Sequence, residues 1–301
     1  MNDRKGGKQV SKRVPAVLLA GQYQNGKSTL INCLLEGRYA LEGTGLATTA
    51  TRTEYEFATS RTGVYELTRE GAKKRVADGL SQTIERKSSD KRYVVTANAD
   101  ILKEMRLIDA PGWGAGDADD KQSELSLDDA DFVVYIAQPR QLSDADRSFL
   151  KLLRDRRTYF SVILNARDTT SPEDPSLEKV GDAIVGAIKQ CGAEDQFIRF
   201  PSVNGVCVVN LLWAKFARHL LDSPEAQREK VQRQTVLFER TYQDVPDHQD
   251  MAFRSGIDGW RTFLRCAMSV IPDMPPPRPC DLRAQIVDSI CKNLISLIEG
   301  V

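Results

Sequence analysis

The chain has 301 residues, enough to bury a sizeable core, and its 42 Lys+Arg balance 42 Asp+Glu to a formal net charge of zero. That balance removes the electrostatic ground for broad nucleic-acid binding, and no apolar run approaches the ~20 residues of a membrane span. Six cysteines (Cys33, Cys191, Cys207, Cys266, Cys280, Cys291) lack C-x-x-C spacing and read as reduced structural thiols, and with only His219 and His248 present, histidine-centred catalysis has no basis.

Residues 1–13 carry Arg4, Lys5, Lys8, Lys12 and Arg13 against Asp3 and read as a disordered basic tail. Residues 14–20 (VPAVLLA) are apolar, as a buried parallel strand requires, and 28–35 have helical spacing with Leu30, Ile31, Leu34 and Leu35 on one side. Between them Gly21-Gln22-Tyr23-Gln24-Asn25-Gly26-Lys27-Ser28-Thr29 fits the phosphate-loop pattern G-x-x-x-x-G-K-[ST]. Successive backbone N–H groups of such a loop curl around a phosphate at a helix start, where the dipole is favourable. Glycines let the backbone approach closely. Lys27 is expected to reach the β- and γ-phosphate oxygens and Ser28 to ligate Mg2+.

Residues 43–53 form a loop crowded with threonines. Residues 53–57 alternate as a strand, with 64–67 as its expected hairpin partner. Residues 72–87 are polar and read as helical or irregular. Strands follow at 93–96 and 105–108, the second leading into Asp109-Ala110-Pro111-Gly112. The acidic stretch 117–131 reads as a wet, mobile segment. Strand–helix alternation then runs through 132–136, 144–156, 160–164, 177–190, 197–202 and 206–221, which predicts a mostly parallel sheet covered on both faces. Residues 224–244 and 257–270 read as amphipathic helices, and 272–280 as a proline-rich linker. Residues 281–301 read as a C-terminal helix with Leu282, Ile286, Ile290, Leu294, Leu297 and Ile298 in one apolar stripe, either packed back on the domain or free to dock a partner.

Three further motifs complete the set. D-x-x-G after a strand is the arrangement by which nucleoside triphosphatases sense a γ-phosphate, Asp109 holding Mg2+ through water and the Gly112 amide bonding the phosphate. Thr49, with Thr48 as its near alternative, is the candidate for a switch threonine on the metal. Asn165-Ala166-Arg167-Asp168 stands where guanine-specific proteins read N-K-x-D. Asp168 would accept from the base edge, Asn165 would help fix the loop, and Arg167 would stack where the lysine stem is missing. Ser202-Val203-Asn204 is expected to follow the next strand as a further base-contacting loop.

With these motifs in place the chain resembles the dynamin superfamily of large GTPases. The loop G-Q-Y-Q-N-G-K-S-T-L-I-N resembles those of bacterial dynamin-like proteins and, including Tyr23, of guanylate-binding proteins. Ala47-Thr48-Thr49-Ala50 resembles the bacterial switch segment P-T-T-A. Arg167-Asp168 resembles the base motif of guanylate-binding proteins and atlastins, and Ser255-Gly256-Ile257-Asp258 the segment closing many such domains. The resemblance implies an α/β P-loop GTPase domain over 14–271, binding GTP and GDP with Mg2+ and pairing as a homodimer through the nucleotide face. Trp113 stands where a water-orienting glutamine is found in Ras-like proteins, and Gln24 where guanylate-binding proteins carry an arginine finger. Slow hydrolysis alone and faster hydrolysis in a dimer follow from those departures. The expected setting is cytoplasmic, or peripheral at a membrane through a partner of the C-terminal helix, with no nucleic acid bound. A slow nucleotide-dependent switch or scaffold is the alternative, and a ribosome- or RNA-linked GTPase a third.

Overall fold

A computed structural model describes residues 13–40, 52–59, 62–68, 71–78, 91–114, 117–166, 172–218, 220 and 253–273. Among them nine strands form one sheet: β1 (Ala16–Ala20), β2 (Arg52–Phe57), β3 (Gly63–Leu67), β4 (Lys73–Ala77), β5 (Arg92–Ala97), β6 (Arg106–Asp109), β7 (Phe132–Ala137), β8 (Phe160–Asn165) and β9 (Cys207–Val209). Their order is β4-β3-β5-β2-β6-β1-β7-β8-β9. The run β6-β1-β7-β8-β9 is parallel throughout, while β2 and β5 pair parallel to each other and antiparallel to their neighbours β6 and β3.

Helices cover both faces: α1 (Lys27–Leu35), α2 (Asp117–Leu127), α3 (Asp144–Arg156), α4 (Pro175–Gln190), α5 (Leu211–Ala217) and α6 (Ile257–Val270). Along β1 the side chains alternate between two cores. Val17 and Leu19 join Leu30, Ile31 and Leu34 of α1 and Trp260 and Phe263 of α6, whereas Ala16 and Leu18 join Phe149, Leu150 and Leu153 of α3 and Ile184 and Ile188 of α4. A strand buried on both faces needs apolar residues at every position, which is why β1 and β7 read as unbroken apolar runs. No helix among the described residues is long and apolar enough to cross a membrane.

Several sequence expectations need correction. The strand at 53–57 exists, but its neighbours are β5 and β6, and β3 pairs with β5 and β4 instead. Alternation announces a strand and not its partner. The buried Tyr93, Val94 and Val95 take β5 into the sheet, and the more polar β3 and β4 are left at the edge. Within 72–87, residues 73–77 are that edge strand. Its lysines and arginine are solvated, so it shows no alternation, and they blunt an edge otherwise open to pairing.

The acidic stretch begins as α2 and is tied down at its end, with Arg156 bonding Glu124 and Asp128, and Arg52 bonding Asp129. The strand expected at 197–202 is a single bridge from Phe197 to Phe160. The helix expected at 206–221 divides into β9 and α5. The helices expected at 224–244 and 281–301, the tail before residue 13 and most of the linker lie outside the described residues.

Candidate functional site

The turn from β1 into α1 is held from several sides. Gly21 has φ 147°, and a Cβ there would lie 2.6 Å from the Ile136 carbonyl oxygen of β7. Gly26, at φ 100°, starts α1, and a Cβ there would lie 2.7 Å from Leu211 Cδ1 and 3.0 Å from Asn165 Nδ2. Both positions therefore admit glycine alone. Asn25 is buried and pins the loop, its Nδ2 donating to Ile136 O at 2.7 Å. At the exposed crown Gln24 is left-handed at φ 61°, which for a side-chain-bearing residue costs on the order of 1–3 kcal/mol. Thr29 follows half-buried in the first turn of α1.

Lys27, Ser28 and Asp109 meet under this loop. Lys27 is buried and donates to Gly21 O at 3.2 Å and Gln22 O at 3.0 Å. Burial lowers its pKa against the opposing pull of Asp109. Burial likewise raises the Asp109 carboxyl to about 6, opposed by the Lys27 charge and the Ser28 hydroxyl. Ser28 Oγ donates to Asp109 Oδ2 at 3.1 Å, while Asp109 Oδ1 is buried with no hydrogen-bond partner. An orphaned buried carboxylate oxygen is costly unless something meets it. Beside a serine hydroxyl it makes the hard oxygen set that Mg2+ takes, so these residues fit the ion. The buried Thr53 Oγ1, also without a partner, stands opposite Asp109 in the β2–β6 register, a position that sequence spacing did not single out.

The D-x-x-G segment is clamped onto the loop. Trp113 N donates to Gly21 O at 3.2 Å, and a Cβ on Gly112 would lie 2.7 Å from Tyr23 N. Ser123 of α2 secures it from behind by donating to Pro111 O at 2.7 Å. The Trp113 ring packs on Phe149 of α3, with centroids 5.0 Å apart.

At the base end, Asn165 ties the loops together. Its Nδ2 donates to Asn25 O at 3.2 Å and its Oδ1 accepts from Leu211 N at 3.3 Å. Ala166 is buried and its amide donates to Val209 O at 2.7 Å. Arg167, Asp168, Thr48 and Thr49 lie outside the described residues. Ser202-Val203-Asn204 is corrected: it precedes β9 instead of following a strand. Asn204 Nδ2 donates to Glu178 O of α4 at 3.0 Å, and Val203 is 89% exposed. The misplacement follows from reading 197–202 as the strand when the short β9 is the one that pairs with β8. The segment that does follow it is Asn210–Leu211, which sequence reasoning missed; only the three-residue apolar run CVV before it was a signal. Ser255 and Gly256 close the unit there, Asn210 N donating to Ser255 O at 2.9 Å.

Residues 16–166 match the model of a family described as 50S ribosome-binding GTPase. Over 156 residues, 50% of this chain, the sequence is 27% identical to "Probable transmembrane GTPase FZO-like, chloroplastic" of Arabidopsis thaliana, 15% of whose length is covered. Two solved chains from work on an oligomerised bacterial dynamin pair, described as sensing and tethering membranes, share the fold with TM-score 0.54. They are 14% and 15% identical over 95% and 97% of this chain. Only 46% of each of those chains is covered, so this chain spans less than half the length of the relatives it matches.

Proposed function

The chain belongs to the GTPase family that the match over residues 16–166 defines, and from that premise we propose that it binds GTP with Mg2+ and hydrolyses it in the dynamin-like manner, activated by pairing of two such domains or by a partner chain. The observation that carries this reading is the buried, unpartnered Asp109 Oδ1 beside Ser28 and Lys27. Lys27 would engage the β- and γ-phosphates, the Gly112 amide would bond the γ-phosphate, and Gln24 would be the loop residue that serves the bridging oxygen. Ser28, Thr49 and Asp109 would hold the metal, which when bound would neutralise charge on the phosphate oxygens. Asp168 and Arg167 contact guanine, while Asn165 fixes the loop beneath it. Water is the nucleophile, and the chain contributes positioning and charge stabilisation.

Trp113 favours a second reading, a slow switch read by a partner. Its ring is packed on Phe149 and offers no amide to orient water. Calorimetry with GTP and ATP, with and without Mg2+, followed by turnover at several protein concentrations, tests both. Guanine-selective binding that Lys27→Ala abolishes, with turnover per molecule rising with concentration, supports the paired enzyme. Guanine binding with negligible turnover throughout supports the switch, and adenine preference refutes the base assignment. We propose that the chain attaches to a membrane peripherally, in keeping with the membrane tethering named for the bacterial dynamin pair; co-sedimentation of the full chain with anionic vesicles tests it, and no binding with either nucleotide refutes it.

A further inference from the structure

The loop pattern leaves Gln22 free, yet its carboxamide is engaged at both ends. Oε1 accepts from Arg140 Nη2 at 2.7 Å, and Nε2 donates to Ser143 Oγ. Arginine can only donate, so the amide orientation follows from chemistry. Ser143 is the N-cap of α3. Its Oγ accepts from Asp146 N at 3.3 Å and donates to Asp146 Oδ2 at 2.8 Å. Asp146 is buried, accepts from Tyr135 OH on its other oxygen and lies 3.7 Å from Arg140 Nη1. The chain from the loop to α3 is therefore saturated with partners and anchored in the core.

The main chain of Gln22 sits at the centre of the phosphate site. Its carbonyl accepts from Lys27 Nζ at 3.0 Å and from Asn25 N at 3.3 Å, and the residue bridges to Trp113, next to Gly112. A second tie from the segment that carries Arg140 reaches the strained crown, Gln138 Nε2 donating to Gln24 O at 3.1 Å. A loop with a left-handed glutamine must be held in shape before a phosphate arrives, or the cost of ordering it falls on binding.

We propose that Arg140 is a positioning residue for the phosphate loop: acting through Gln22, it locks the loop to the start of α3 and thereby sets nucleotide affinity. The effect on affinity rests on the GTP-binding reading, whereas the lock itself does not. Arg147 supplies the control. It lines the same α3–α4 groove as Arg140 but bonds Gln190 at 2.9 Å instead of the loop.

Hydrogen exchange on the nucleotide-free full chain reads the lock directly. Arg140→Ala and Gln22→Ala each speed exchange at the amides of residues 22–28, Arg140→Lys restores part of the protection, and Arg147→Ala leaves it unchanged. GTP affinity then falls about tenfold in either alanine variant, the size of one charge-assisted hydrogen bond. The double variant falls no further than the singles, because both remove the same link. Unchanged exchange in Arg140→Ala, or fully additive losses in the double variant, overturns the proposal. If the wild-type chain bound no guanine nucleotide, the functional reading would fall, and the exchange experiment would still decide the lock.

Discussion

Gly112→Ala probes the coupling between the γ-phosphate motif and the loop. The added Cβ would stand 2.7 Å from Tyr23 N, 2.9 Å from Tyr23 Cα and 3.3 Å from the Gln22 carbonyl carbon, all backbone atoms that cannot swing aside. Gly112 is not among the positive-φ glycines, so alanine carries no conformational penalty and the perturbation is steric. Ordinary contact begins at 3.4 Å, and the segment must therefore retreat by roughly 0.7 Å. That retreat lengthens the Trp113 N to Gly21 O bond, already 3.2 Å, and draws the Gly112 amide away from a γ-phosphate. A hydrogen bond to a charged group is worth about 1.5–3 kcal/mol, so affinity for a non-hydrolysable GTP analogue should fall roughly 10- to 150-fold. GDP lacks the γ-phosphate and should lose less than about threefold on the same reasoning. Calorimetric Kd values for both nucleotides measure the ratio. A ratio within twofold of the wild-type value would refute the assignment of Gly112.

Three other substitutions follow from the geometry. Asp109→Asn should make nucleotide affinity indifferent to Mg2+; because the native carboxyl titrates near 6, above its unfolded value of 3.8, the folded nucleotide-free chain binds the extra proton, and its stability should fall as pH rises from about 4 to 6. Thermal melts across that window should show the slope in wild type and its loss in Asp109→Asn, and identical slopes would contradict the burial argument. Glu54 is 3% exposed and bonds Arg52, Arg92 and Arg106 at 2.8, 2.8 and 2.9 Å, so Glu54→Ala strands the buried Arg52 charge and should cost about 3–5 kcal/mol in urea unfolding; a loss below about 1 kcal/mol would show that Asp129 alone compensates. Gln24→Arg places a cation at the exposed crown without changing the backbone demand there, and should raise turnover of the dilute chain by roughly tenfold or more. Unchanged turnover at low protein concentration would count against the crown as the site of missing charge.

The order strand, glycine turn, helix was legible because each part is local. The apolar run 14–20 is short and is followed at once by a glycine turn, which marks a strand, buried on both faces over 16–20, and G-K-S-T opens a helix. Asp109 was legible for the same reason, standing at the end of a short apolar strand. What sequence spacing could not give was pairing over distance. Nothing in residues 53–67 says that β5, about thirty residues further on, will part β2 from β3, since register is fixed by burial across the sheet. β9 was hidden because three residues make no period. Gln22 and Arg140 were hidden because their contact joins two separate segments, and Thr53 because only the β2–β6 register sets it opposite Asp109.

The tight contacts around the loop have one arrangement in common. Asp109–Gly112 at the end of β6, Ile136 in β7, Asn165 at the end of β8 and Leu211 just after β9 each meet the loop from the sheet side, and Arg140 in the β7–α3 connection and Ser143 at the α3 N-cap hold it from the other. A loop constrained by so many elements has little freedom to lose when a phosphate binds, which favours affinity. Its crown is different. Gln24 is exposed, left-handed and uncharged, and Trp113, the residue after D-x-x-G, lies half-buried with its ring packed on Phe149. The side chains proposed to grip phosphate and metal are thus fixed from within, and the open side of the loop is the side from which a rate-enhancing charge can still approach. That asymmetry supports activation by a second molecule over a self-sufficient enzyme, and it is why turnover against protein concentration is the decisive curve.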